Sequence, residues 1–401
     1  MVSIHKQRGL ATLTISIILL VLITIVSLYL ARTVLQEQKL VASDTRAKQA
    51  FEAAEAGLAI AQQYFMKGIA NNTADGKYEI FASGAGVGDD SFRGSLGENR
   101  FSVTIEEMEI DSMLALRITS TGTSSDGTAS RTLVNEVKAL NPIPNVPDNP
   151  LNSKGAFVIG GSATVSNSEG HSSIWSGGDI DVGSNNSTKT LIADPNDPAY
   201  PGCMDIPHSC ALIESSNREM AGLDIIEHDS DLANLTTEEM FMNFFGMSPS
   251  SYKETMATRI VDTANPSESR GDCGNTWAGC VDMALNEVIW IEGDVSETGA
   301  SVGCAVSLTG SHVCSDADEL PSIVIVNGDV DFSGTPHFYG VLFVMGDMIG
   351  AGNLTIHGAM MVAGNVSTGT GSLDAVYNSQ LLEKVQQIGP RAGVAGAWRD
   401  F

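Results

Sequence analysis

Between Leu10 and Ala31 there is no charged residue, before Pro142 there is no proline, and before Cys203 there is no cysteine. The first absence excludes an ordinary soluble start, because about 22 helical residues at roughly 1.5 Å each span the hydrocarbon core of a bilayer. It also argues against a cleaved secretory signal, whose apolar core of about 7–15 residues ends at a small-x-small site; here Tyr29 and Leu30 stand where small residues would be needed. The second absence leaves one helix pattern unbroken through residue 65. The third confines every disulfide to the second half of the chain. Catalytic signatures are missing too: there is no G-x-S-x-G elbow, H-E-x-x-H, P-loop or G-x-G-x-x-G after a strand. His337 and His357 stand alone at strand edges and read as surface residues. The chain reads as no enzyme, and no catalytic residue is assigned.

Basic residues are also scarce after the start. Residues 1–48 carry six Lys/Arg and two Asp/Glu, and the remainder carries 16 basic residues against 46 acidic ones. Lys6 and Arg8 hold the N-terminus in the cytoplasm and send everything beyond Arg32 outside. So acidic a surface repels nucleic acid, and no direct binding of it is expected. Calcium in the acidic loops stays open. However, Asp329 and Asp347 directly follow glycine and miss the G-x-G-x-D register, and His228-Asp229-Ser230-Asp231 lacks the twelfth-position Glu of an EF-hand. Gly-Asp therefore reads as a turn, and no metal ligand or cofactor is assigned.

After Arg32 the helix turns amphipathic: Phe51, Ala54, Leu58, Ala61 and Phe65 step by three and four onto one face. Residues 10–31 form a membrane or filament-core segment, and 32–65 continue the same helix over a globular domain. The Gly-, Asn- and Asp-rich stretch 66–98 reads as a surface connection. Three alternating segments within 66–140, RFSVTIEEM, LALRITSTG and SRTLVNEVKAL, form an antiparallel sheet with one buried face. Pro142, Pro144, Pro147 and Pro150 then mark 141–152 as a stiff linker and the best domain boundary.

Beyond the linker, Ile325-Val326-Asn327-Gly328-Asp329-Val330 recurs as Phe343-Val344-Met345-Gly346-Asp347-Met348 and as Met361-Val362-Ala363-Gly364-Asn365-Val366, at the same interval both times. Looser copies stand at Ile291-Glu292-Gly293-Asp294, Ser176-Gly177-Gly178-Asp179 and Val158-Ile159-Gly160-Gly161. A fixed period with glycine turns between short apolar strands signals a β-solenoid, with a Gly-rich β-sandwich as the alternative. The fold class is α+β: a long N-terminal helix on a small antiparallel sheet, followed over 153–401 by a Gly-rich β-solenoid-like domain. That domain has its repeats at about 323–370 and a partly helical, disulfide-stapled insertion at about 186–285. Within the insertion, Thr236 or Thr237 caps a helix with Glu239 in its first turn, Gly246 ends it, and Ser248-Pro249 starts the next.

The six cysteines form close pairs, Cys203/Cys210, Cys273/Cys280 and Cys304/Cys314. Six cysteines permit 15 connectivities, and loops this short favour neighbour pairing. No pair has C-x-x-C spacing with a companion His-x₃₋₅-His, which argues against zinc. Trp277, in CGNTWAGC, is held in one of these loops. It is either a contact residue for a partner or a side chain tucked inward.

The start of the chain resembles type IV pilins and pseudopilins. Arg8-Gly9 followed by Leu10 matches their processing site, so the resemblance implies a leader 1–9, cleavage after Gly9 by a prepilin peptidase, and N-methylation of Leu10. The family's usual fifth mature residue is Glu; here it is Thr14. A carboxylate in that apolar setting needs a partner amine, and Thr14 cannot offer one, which suits a subunit with no neighbour above it. AFEAAEAGLAIAQQYF, FMNFFGMSPSSYK, Tyr377-Asn378-Ser379 with Leu381-Leu382, and the closing Gly396-Ala397-Trp398-Arg399-Asp400 resemble PilX-type minor pilins. The resemblance implies a membrane-stored subunit that initiates pilus assembly and stays near the tip. Its implied partners are other minor pilins, the major pilin, a large tip adhesin and the inner-membrane assembly platform. The alternatives are a K-type tip pseudopilin of a type II secretion system and a membrane-anchored β-helix hydrolase. The hydrolase would need a column of carboxylates, and the repeat reads without one.

Overall fold

The computed structural model describes residues 8–66, 71–72, 78–79, 91–110, 113–169, 172–183, 186–203, 210–262, 264–271, 277–282, 284–297, 299–305, 314–315, 318–350, 352–394 and 398–400. The chain forms two units: 1–108, 116–137 and 393–401 make the first, and 109–115 with 138–392 the second.

In the first unit one helix, α1 (Arg8–Met66), runs without a break for 59 residues, about 88 Å at 1.5 Å per residue. Its second half buries Ala50, Ala53, Ala54, Leu58 and Ala61 against a sheet of β1 (Ser91–Leu96), β2 (Asn99–Ile110), β3 (Met113–Thr123) and β4 (Ser130–Ala139). The buried stripe is centred on small residues, and Phe51, expected on it, is only half-buried; Phe65's side chain lies outside the described residues. Small residues let the backbones approach closely: a Cβ on Gly122 would sit 2.0 Å from the Ala50 carbonyl oxygen, and one on Gly57 2.5 Å from Ser120 Oγ. Across the contact, Phe92, Phe101, Val103, Ile105, Leu116 and Ile118 complete the core. The stretch 66–98 falls largely outside the described residues. At the far end of the chain, Arg399 and Asp400 pair antiparallel with Val134 and Leu133 of β4. The second unit therefore ends at Ala392, short of the C-terminal boundary expected from the sequence.

The second unit is wound. Two largely parallel sheets, one of 13 strands and one of six, enclose its core. The larger bends along His337–Val344 and Asn353–Val362 into two faces, so the chain steps from a first face to a second at Gly-Asp, then to a third, then back around a bent strand. Ile323, Val341 and Ala359 stand in register on the first face, Val330, Met348 and Val366 on the second, and Phe338 and Ile356 on the third. The offset from coil to coil equals the period of the sequence repeat. Alternation decides what each strand buries. Val324, Leu342 and Met360 point into the lumen with Phe332, Met348 and Phe338. Ile325, Phe343 and Met361 point outward under Met240, Phe241, Phe245 and Tyr252.

Those covering residues belong to the predicted helices. The first (Thr237–Phe245) has the full capping box between Thr236 and Glu239 and a left-handed Gly246 at φ 71°; the next starts on Ser248 with Pro249 in its first turn. Two further features depart from the sequence reading. Residues 141–150 join no sheet, yet they are packed into the second unit, to which they belong, with Ile143 fully buried and Tyr377 Oη donating to the Pro147 carbonyl at 3.0 Å; Leu151–Ser153 is already a strand. The coils also stack out of sequence order. Leu151–Ser153 pairs with 360–362 on one side and Ile174–Ser176 on the other, so the first coil made occupies an interior place in the stack. The stretch 230–255 then carries the chain to Arg259–Asp262, which borders the opposite end of the first face.

Candidate functional site

The roles read from the sequence fall at separate places. Gly9 and Leu10 lie in the first turn of α1, and residues 1–7 lie outside the described residues. Thr14 stands one turn further on an exposed stretch. From Leu13 to Val41 the large apolar side chains are open, with Leu20 64%, Tyr29 73% and Leu40 74% exposed. The helix is long and apolar enough to cross a membrane. Its hydroxyls turn back on the backbone: Ser16 Oγ donates to the Leu13 carbonyl at 2.9 Å and Thr24 Oγ1 to that of Val21 at 2.7 Å. Such pairing removes most of the cost of a hydroxyl in an apolar medium. This half of the helix is built to be covered by something other than its own chain.

Cys203 is bonded to Cys210 and Cys304 to Cys314, with Cα separations of 5.4 and 6.0 Å. Cys280 is also oxidised, and Cys273 lies outside the described residues. Trp277 takes the inward role, not the contact role. It begins a short helix (Trp277–Val281), is 3% exposed, and packs its ring 5.6 Å from Phe332 and 6.2 Å from Phe338. Both are lumen residues, so Trp277 and Val281 plug the wound core, and apolar burial outweighs display.

The histidines depart from the surface reading. His337 is buried with neither ring nitrogen hydrogen-bonded, and burial pushes its pKa down. His357 stacks on Tyr339, centroids 4.5 Å apart and 4° from parallel. Burial first, then the neighbouring His337, drives its pKa to about 4. For both rings burial favours the neutral form.

A carboxylate column also exists where the repeat was read without one. Asp294 Oδ1 accepts from the Asp329 amide at 2.9 Å, Asp329 Oδ1 from the Asp347 amide at 2.8 Å, and Asp347 Oδ1 from the Asn365 amide at 2.7 Å. Asn365 Oδ1 continues the line to the Ala156 amide at 3.0 Å. Each side chain caps the turn of the next coil, which commits the acceptors to the backbone. Among the described residues no group of three His, Cys, Asp or Glu is placed to hold a metal ion.

Sequence reasoning missed a polar knot around Glu292, whose oxygens accept from Lys253 Nζ at 2.9 Å, Trp290 Nε1 at 2.8 Å and Asn327 Nδ2 at 2.6 Å. Aligning the loose copy Ile291-Glu292-Gly293 on Val326-Asn327-Gly328 would have paired Glu292 with Asn327.

Residues 8–59 match the PilX N-terminal family. No curated protein matches the chain. Among solved structures the chain is similar to the competence-associated pilin ComZ from Thermus thermophilus, at 11% identity over 89% of this chain and 98% of that one, with a TM-score of 0.27. At its N-terminus the likeness of the chain is to type IV minor pilins, carried by the PilX N-terminal segment over residues 8–59.

Proposed function

We propose that this chain is a PilX-type minor pilin that waits in the inner membrane, helps to initiate type IV pilus assembly, and stays at or near the tip. The observation that carries the reading is the division of α1. Its first half exposes an unbroken apolar surface, and its second half is packed on its own sheet. One half is thus free for lipid or for neighbouring helices while the other carries the globular load. The second unit, a glycine-rich β-solenoid inserted between β4 and the last residues of the chain, is a large acidic body held outside. It serves contact and assembly with other minor pilins and the major pilin, and the chain catalyses no reaction. Thr14 supports a terminal place, because it offers no carboxylate to a subunit above it.

Replacing Thr14 with Glu tests the position. Immunogold labelling of the variant should find subunits away from filament ends, with the fold unchanged by circular dichroism. Labelling still confined to tips would show that Thr14 does not set the place, and labelling of the unaltered chain along shafts would refute the tip assignment. Scoring pili and type II secretion separately in a deletion strain distinguishes the pseudopilin alternative.

A further inference from the structure

The two ends of the wound unit are finished differently. At one end the border strands are Arg259–Asp262, Val295–Glu297 and Ser301–Val302. There Ile260 forms a further bridge with Arg270, and the Trp277 helix plugs the lumen. At the other end the border strands are Ile225–Ile226, Ile180–Asp181 and Leu212–Asn217, each pairing with one strand only among the described residues. Asn217 also bridges to Met220, so the chain's own loop covers the end of the last strand and leaves Leu212–Glu214 as its outer edge. A stack of coils left with free edges normally carries a polar cap or templates another strand. Here the edges carry apolar side chains: Leu223 is 101% exposed, Met220 62%, Ile226 42% and Ile213 39%. All four belong to the short stretch from Ile213 to Ile226, on the same end.

Side-chain bonds hold this edge rigid. Ser215 Oγ and Ser216 Oγ both donate to Asp224 Oδ1, at 2.5 and 2.9 Å, and the Gly222 amide donates to Ser216 Oγ at 2.7 Å. The loop bearing Leu223 is thereby fastened to the border strand. Around it stand the exposed acids Asp181, Glu214, Glu219 and Glu227, while the exposed Arg218 is paired with Glu219.

We infer that the open end, built from Leu212–Glu214, Leu223 and Ile225–Ile226, is a docking edge for an extended segment of another protein that alternates aliphatic and basic side chains. An added strand would pair along Leu212–Glu214 or Ile225–Ile226, its aliphatic side chains would cover Leu223 and Ile226, and its Lys or Arg would meet the acidic rim. A second copy of this chain is a poor occupant, since two acidic rims would face each other. The inference rests on the edge alone and holds whether or not the chain sits at a filament tip.

The test uses the detergent-solubilised full chain and three short synthetic peptides: alternating Lys/Val, alternating Glu/Val, and Lys/Ser of the same charge as the first. Calorimetry should detect binding of Lys/Val only, and hydrogen exchange should then slow at 212–214 and 225–226. Leu223→Asp alters a fully exposed side chain, so the fold should persist, and it should weaken Lys/Val binding about tenfold, the scale of one buried leucine. Equal binding of Lys/Ser, protection spread over the whole acidic surface, unaltered affinity of Leu223→Asp, or no binding of Lys/Val would each overturn the inference.

Discussion

Gly358→Ala should damage the second unit far more than a methyl group added where the backbone is open. The residue sits at φ +120°, directly over Gly340 at φ +128°, where the bent strands turn from the third face to the first. An alanine there meets two costs. Holding a Cβ-bearing residue in that region costs on the order of 1–3 kcal/mol. The added Cβ would also lie 2.1 Å from the Gly340 carbonyl oxygen and 3.3 Å from Leu381 Cδ2, and such overpacking adds about 1–3 kcal/mol. The sum, about 2–6 kcal/mol, is a large part of the roughly 5–15 kcal/mol typical of a folded domain. With a urea slope of about 2 kcal/mol/M, the transition of the second unit should fall by roughly 1–3 M. Tryptophan emission reports it, because Trp277 and Trp290 are both buried in that unit. Gly350→Ala, in the same unit, is the matched control: its added Cβ would meet only the Phe332 carbonyl oxygen, at 3.9 Å, and it should move the midpoint little. A Gly358→Ala chain unfolding at the wild-type midpoint would refute the claim that the bend requires glycine.

Three further outcomes are expected. Replacing Cys203 and Cys210, or Cys304 and Cys314, with serine should lower the stability of the second unit by about 2–3 kcal/mol for loops this short, without blocking membrane insertion; peptide mapping that showed crossed linkages would contradict the pairing. Because the folded His357 binds its proton near pH 4 while an unfolded histidine binds near about 6.5, the unfolded state holds more protons between those values. Stability should therefore fall as pH drops from about 6.5 toward 4, and His357→Gln should flatten that slope in urea titrations. Replacing Gly9 with a bulky residue should leave the precursor in the membrane and out of filaments, and N-terminal sequencing of the unaltered mature chain should begin at Leu10.

Much of this architecture is local and could be read from the chain. The period of the repeat sets the register of the coils, and Thr236, Glu239, Gly246 and Pro249 delimit two helices through chemistry confined to a few neighbouring residues. The α1 pattern is equally local. What escaped reading depends on partners distant in sequence. Nothing near Leu151 announces that it stacks against Met360, and nothing near His337 announces that Ser301 lies beside it. Asp294, Asp329 and Asp347 look like independent turn residues until the coils align them. Trp277 was open between two roles because its burial is set by Phe332 and Phe338, both far along the chain from it. The exposed Leu223 resembles any loop leucine until the border strands beside it are known.

The out-of-order stacking of the coils has a consequence for how the chain becomes a protein. Leu140 donates its amide to the Pro390 carbonyl at 2.9 Å, so the place where the chain enters the wound unit for good lies beside the place where it leaves. The coil that opens at Leu151 is pressed between a neighbour made just after it, at Ile174–Ser176, and another made near the end of the unit, at 360–362. Contacts so distant in sequence make folding slow, since loop closure precedes their reward. If the part beyond Arg32 is exported in sequence order, as the proposed function implies, it cannot finish its middle coil until nearly all of it has crossed. Until then Leu151, Phe157 and Val165 keep one strand edge bare. On that reading, export and folding would finish together, and a copy truncated before 360–362 would leave Leu151–Ser153 without one of its two neighbouring strands.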